Sequence, residues 1–159
     1  GEPLAYMPFI YEHPVYWQKI QEETKGSGDI ERSTCLFIDS ENAREHTEEE
    51  MISVENIKGR LFLVGAEDDS FWETGKYIRR MDERLKERPH TCEYVPLVYE
   101  HGTHFVLPES LLRKALPVGL KFVMRFIFKA AKEYPNECEK TRKDIDRRLS
   151  SALKEWREE

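Results

Sequence analysis

Val64-Gly65-Ala66-Glu67-Asp68-Asp69-Ser70-Phe71-Trp72, the acidic end of an apolar run that begins at Arg60, decides how the rest of the chain is read. Arg60-Leu61-Phe62-Leu63-Val64 is apolar on both alternating faces, as an interior strand of a parallel sheet covered by helices on each side has to be. A helix is expected from about Phe71 to Glu87, its stripe formed by Trp72, Tyr77, Ile78, Met81 and Leu85. A second strand is expected over Glu93 to Tyr99. Strand, helix and strand at this spacing predict a βαβ unit with a right-handed crossover and two parallel, neighbouring strands. Gly102-Thr103-His104-Phe105-Val106-Leu107-Pro108 then follows the second strand. Asp69 and His104, 35 positions apart, therefore both come just beyond carboxyl ends of parallel strands, where the chemistry-bearing side chains of open sheets converge.

An aspartate in that position can accept the Nδ1 proton of a histidine, fix its tautomer and stabilise the imidazolium formed when Nε2 takes a proton from a nucleophile. The nucleophile of such an arrangement is a Ser or Cys on a sharp strand-to-helix turn, with Gly two residues before and two after it. None of the serines or cysteines of the chain has glycine at both offsets; in Lys25-Gly26-Ser27-Gly28-Asp29 the glycines stand at the wrong ones. The sequence thus reads as an acid and a base whose nucleophile lies outside this chain. A plainer reading competes at each residue. Asp68, Asp69 or Ser70 could simply cap the following helix, and a histidine beside glycine is commonly a turn or core residue. The order of acid and base after consecutive strands favours the chemical reading.

Composition narrows the classes further. The 159 residues suffice for one domain with one core, 35% of them charged and 39% apolar. A net charge of −6 and a pI near 5.5 give no basis for a phosphate-backbone footprint, so nucleic acid is not an expected partner. No apolar run approaches the roughly 18 residues of a membrane span, and the first residues lack a signal-peptide layout, so a soluble, cytoplasmic protein is expected. Cys35, Cys92 and Cys138 are odd in number and far apart in sequence, which fits reduced thiols acting as small hydrophobes.

Around the βαβ unit, Gly1 to Pro14 is rich in proline and aromatic residues and reads as an ordered loop packed on other elements. Val15 to Thr24 suits a short helix. Thr34 to Ile38 could be a strand or a turn of buried helix, and Asp39 or Ser40 could cap a polar helix running through Met51. Leu111 to Lys132 reads as an apolar helix kinked or restarted at Pro117. Asn136 with Glu139 resembles a capping box opening a last helix through about Trp156, with Ile145, Leu149, Leu153 and Trp156 on one side. Its pairs Glu139 with Lys143 and Asp144 with Arg148 suit a solvated helix surface.

Ile52 to Gly59, the strand after it, the turn Glu67-Asp68-Asp69-Ser70-Phe71-Trp72 and finally Tyr99-Glu100-His101-Gly102-Thr103-His104 resemble one family. That family is the C-terminal catalytic region of the acyl-CoA thioesterases and bile acid-CoA:amino acid N-acyltransferases, within the α/β-hydrolases. The likeness runs roughly from Gly1 to Pro108. It implies a fold class of α/β, the C-terminal part of an α/β-hydrolase fold with parallel strands and flanking helices, the nucleophile-bearing half being absent from this chain. Its division would be 1–59 as a loop and helical lead-in, 60–108 as the βαβ unit and 109–159 as C-terminal helices. The likeness assigns the triad acid to Asp69 rather than Asp68 and the histidine to His104 rather than His101. It implies an acyl-enzyme route on acyl-CoA or another small ester or thioester; no cofactor is expected, and Glu100, His101 and His104, bunched in one loop with no distant partners, do not suit a metal site. Trp72 is a candidate for the acyl pocket as well as for the core. One departure stands out: the family pattern has glycine directly before the histidine, where this chain has Thr103.

A half sheet of this kind would leave an unpaired strand edge, to be met by the missing N-terminal part of the same protein or by a second copy in a homodimer. The alternative is a non-catalytic binding or regulatory domain that keeps hydrolase-like strands and uses its charged last helix to hold a partner. A phospho-acceptor domain gathering Asp39, Asp68 and Asp69 around Mg²⁺ ranks behind both, because no Lys closely follows Tyr99.

Overall fold

The two apolar runs form strands and the stripe between them a helix, so the middle of the chain is a parallel βαβ unit. The structure, a computed structural model, describes residues 5–158. In chain order these form α1 (Val15–Thr24), α2 (Thr34–Asn42), two single 3₁₀ turns (Glu48–Glu50 and Val54–Asn56) and β1 (Arg60–Ala66). There follow α3 (Thr74–Glu87), β2 (Glu93–Tyr99), α4 (Glu109–Ala115), α5 (Leu120–Ile127), α6 (Lys129–Glu133) and α7 (Pro135–Glu158). β1 and β2 pair in parallel from Arg60↔Glu93 to Ala66↔Tyr99. The result is a mixed helix and sheet fold whose sheet, among the described residues, has these two strands alone.

The two edges of this sheet are chemically different. Glu93 N–H donates to the Gly59 carbonyl at 3.2 Å and Glu67 N–H to the Tyr99 carbonyl at 2.9 Å. The odd-numbered residues of β2 therefore point their backbone groups at β1, and Pro96 points away. A proline has no N–H to give, so its place on the outer side suits a strand that ends the sheet. On β1 the outward backbone groups belong to Phe62 and Val64, which retain full capacity for a further strand.

One core lies under α3, where Val54, Leu85 and Cys92 are buried with Leu61, Leu63, Met81 and Tyr94 packed against them. The other is built by the C-terminal helices from Leu112, Leu120, Met124, Phe128, Ala131 and Cys138, and Phe71 and Phe105 insert into it. Those two phenylalanines sit in the loops after β1 and β2. Helix α7 supports the same loops: the Thr141 hydroxyl donates to the His101 carbonyl at 2.6 Å and the Tyr99 hydroxyl to Asp144 at 2.8 Å. Arg142 is 2% exposed and its Nε donates to Glu109 at 2.7 Å, a buried ion pair tying α7 to α4.

Several expectations change. Thr34 to Ile38 belongs to a helix, α2, which runs past Asp39 and Ser40 instead of being capped by them. Ser40 Oγ donates back to the Leu36 carbonyl and accepts from Ile10 N–H at 3.1 Å, while Asp39 accepts from the Tyr11 hydroxyl at 2.7 Å. The polar helix through Met51 shrinks to the turn Glu48–Glu50, capped by Thr47. Helix α3 begins at Thr74, not Phe71, because the intervening residues wrap around the Asp69 carboxylate. The stretch from Leu111 to Lys132 restarts after Pro117, where α4 gives way to α5, and breaks a second time at Phe128, whose extended backbone separates α5 from α6. Asn136 caps nothing, since α7 already starts at Pro135, and Glu139 pairs with Lys121 and Lys143. Of the apolar side of α7 only Ile145 is buried; Leu153 and Trp156 are exposed. Residues 5–14 are irregular and lie against α2, as the edge-to-face contact of Phe9 with Phe37 illustrates, and the first four residues of that expected loop fall outside the described residues. Among the described residues no helix is long and apolar enough to cross a membrane.

Removing one partner of the buried pair strands the other charge, so Glu109→Ala is expected to cost about 3–5 kcal/mol in urea unfolding. Burial and the bond to Asp144 push the Tyr99 phenol up to about 12. Its folded value thus exceeds the ordinary one of about 10, so its contribution is complete below pH ~10 and is lost as pH rises toward 12. The thermal midpoint is expected to fall more steeply over that window than in Tyr99→Phe.

Candidate active site

The site starts with a glycine. A Cβ on Gly65 would stand 2.9 Å from the backbone carbon and oxygen of Thr74, so only glycine lets the first turn of α3 close on the end of β1. Thr74 then places its hydroxyl 3.0 Å from Ala66 N, 3.2 Å from the Ala66 carbonyl and 3.0 Å from Asp69 Oδ2. Asp69 Oδ1 accepts from Phe71 N–H at 2.9 Å and Trp72 N–H at 3.4 Å. The carboxylate side chain is 0% exposed. A charge so buried is tolerable because donors surround it.

His104 supplies the remaining donor. Its Nδ1 lies 3.1 Å from Oδ1 and 3.0 Å from Oδ2 of Asp69. A nitrogen facing a carboxylate carries the proton, which leaves Nε2 of the neutral ring as the basic atom. The ring is stacked on Phe71, with centroids 4.5 Å apart and planes at 29°, and meets the edge of Trp72 at 4.7 Å. Both aromatic residues come from the loop that carries Asp69, so a single segment fixes the imidazole through its nitrogen and through its faces. Among the described residues nothing is hydrogen-bonded to Nε2. Phe71 and Thr74 escaped the sequence reading; their signal was the close succession Asp-Ser-Phe-Trp-Glu-Thr after the strand.

A second aspartate–histidine contact lies beside the first. Asp68 Oδ1 accepts from Gly102 N–H at 2.9 Å and Thr103 N–H at 2.7 Å, and Oδ2 lies 3.2 Å from His101 Nδ1. His101 is stacked on Tyr134 with centroids 3.8 Å apart. This carboxylate is therefore occupied with holding the loop after β2 in shape. It also accounts for Thr103, the residue standing where the family pattern has glycine. Thr103 has φ of 63°, a left-handed conformation natural to glycine and costing a β-branched residue on the order of 1–3 kcal/mol. The short bond to Asp68, full burial and a 3.2 Å bond from Phe105 N–H to the Thr103 hydroxyl hold it there. Gly102 is needed for a different reason, since a Cβ there would lie 2.5 Å from Val106 Cγ1.

The family model described as BAAT / Acyl-CoA thioester hydrolase C terminal matches residues 12–110, a span containing both loops and the strands that carry them. The chain belongs to this family. No curated protein and no solved structure matches it.

Because Asp68 binds two successive amides, Asp68→Ala is expected to raise hydrogen exchange at Gly102 and Thr103 at least tenfold while the β1–β2 amides keep their protection. Unchanged exchange at those two amides would mean that the loop holds itself.

Proposed function

We propose that this chain is the acid- and histidine-bearing part of an α/β-hydrolase that acts on acyl-CoA or a related small thioester or ester. The observation that carries this reading is the buried Asp69 carboxylate holding Nδ1 of His104 while Nε2 has no partner among the described residues. In the family to which the chain belongs, the chemistry is thioester hydrolysis or acyl transfer. A Ser or Cys nucleophile, supplied from outside this chain, attacks the thioester carbonyl as His104 Nε2 takes its proton. The imidazolium, stabilised by Asp69, returns that proton to the departing thiolate. In the second half His104 activates water or an amine, which releases the acyl group from the enzyme. Asp69 orients and stabilises throughout and does not itself take the proton. Asp68 acts on the loop rather than on the imidazole.

The free edge of β1 is where the strands of the nucleophile-bearing part would add, from the same protein or from a second copy in a homodimer. A soluble, cytoplasmic setting suits free thiols and the lack of membrane-spanning helices among the described residues.

The chain by itself is expected to release no thiol from acyl-CoA and no phenol from p-nitrophenyl esters above background. In a protein that joins it to a strand–Gly-x-Ser/Cys-x-Gly–helix segment, Asp69→Asn is expected to lower kcat by about 10³–10⁴. His104→Ala should lower it at least as much. Turnover unaffected by both variants would leave a binding or regulatory role as the reading of this domain.

A further inference from the structure

Helix α5 carries two apolar lines, and the fold buries one of them. Leu120 and Met124 are buried and, with Phe128 and Ala131 beyond them, build the core of the C-terminal helices. Phe122 and Phe126, one turn apart on the other line, are 76% and 70% exposed, and Val118 in the turn just before α5 is 87% exposed. A single exposed apolar side chain is ordinary. Two phenylalanines in line on one helix, with a bare valine close ahead of them in the chain, form the kind of patch that marks a contact surface.

The charges around this patch are of one sign. Between Ser110 and Lys132 stand Arg113, Lys114, Lys121, Arg125, Lys129 and Lys132 and no acidic residue, in a chain whose net charge is −6. Three of these cations have carboxylate partners: Arg113 meets Glu109 at 2.7 Å, Lys129 lies 3.8 Å from Glu133, and Lys121 shares Glu139 with Lys143. Lys114, Arg125 and Lys132 form no ion pair among the described residues. Lys121, Arg125 and Lys132 line one open concavity of about 580 Å³ together with Phe122 and Phe126, and Gly28 bounds it.

This combination narrows the choice of partner. A second copy of the chain seated on the same face would set cations against cations. A bilayer containing anionic lipids answers both features at once. Long cationic side chains keep their charges at the phosphates while apolar neighbours enter the boundary between head groups and acyl chains. The negative potential of such a leaflet also draws a cluster of cations towards it. We propose that α5 and the turn before it dock this chain on the surface of a bilayer containing anionic phospholipids. Val118, Phe122 and Phe126 enter the interface, and a head-group phosphate is held among Lys121, Arg125 and Lys132. The proposal does not depend on the catalytic reading.

The test is co-sedimentation of the 159-residue chain with sucrose-loaded vesicles, made either of phosphatidylcholine alone or of phosphatidylcholine with about one-third phosphatidylglycerol. Partitioning onto the anionic vesicles is expected to be at least about tenfold stronger, and to weaken as sodium chloride rises from about 0.1 to about 0.5 M. The double variants Phe122→Ser/Phe126→Ser and Arg125→Glu/Lys132→Glu are each expected to lower it at least about tenfold. Leu153→Ser, at an exposed position of α7, leaves it unchanged. All five side chains are exposed, and thermal melts verify that each variant is folded. Absence of binding, equal binding to both kinds of vesicle, or full binding by the folded phenylalanine variant would overturn the proposal. So would a dimer in analytical ultracentrifugation that the phenylalanine variant disperses, which gives the face to a second copy. A protein joined to its nucleophile-bearing part and destabilised by that variant, when the chain alone is not, would give the face to the rest of the enzyme and overturn it equally.

Discussion

The end of β1 carries two adjacent carboxylates, and the geometry of everything around the site depends on how they divide their bonds. Successive side chains at a strand end diverge, so Asp68 and Asp69 reach different parts of the loop after β2. Asp68 takes the backbone of that loop at Gly102 and Thr103; Asp69 takes its imidazole at His104. The first contact sets the loop conformation, including the left-handed turn at Thr103, and the second sets the ring. Neither would be effective alone. An oriented histidine needs a fixed Cα as well as a fixed ring, and the paired acids supply one constraint each.

This division also explains how much was legible in the sequence. The parallel pair β1 and β2 could be read because the continuous uncharged runs Leu61–Ala66 and Tyr94–Tyr99, six residues each, have few other solutions, and the stripe of α3 because its period is helical. That an acid and a histidine would meet followed from their places beyond two neighbouring parallel strands, and the choice of Asp69 and His104 over Asp68 and His101 came from the family resemblance. The work of Asp68 did not follow, because backbone amides leave no mark in a sequence; a doubled aspartate looks the same whether it caps a helix or clasps a loop. The start of α3 was misread for the same reason, Phe71 and Trp72 having helix-compatible apolar spacing but amides committed to Asp69. In α2, the helix or strand choice at Thr34 to Ile38 was undecidable over five residues, and contacts from residues 9–11 resolve it in the fold.

Rigidity around His104 comes from two cores rather than one. Phe71 and Phe105 anchor its loops in the cluster under α5, α6 and α7, while Leu61, Leu63 and Met81 anchor the strand and helix in the cluster under α3. A change in either core would therefore reach the imidazole by a different route, through the faces of the ring in one case and through the carboxylate in the other.

Pro96 gives the sheet a direction of growth. Pro96 interrupts the outward amides of Tyr94 and Val98, so the outer edge of β2 is a poorer template for another strand than the edge of β1, where Phe62 and Val64 both offer theirs. Two copies meeting there under two-fold symmetry would run their β1 strands antiparallel and make a closed, four-stranded unit whose outer limits are both proline-bearing. Further growth of such a pair would have to run past a missing amide at either limit, so the residue that ends the sheet also disfavours its becoming a fibre.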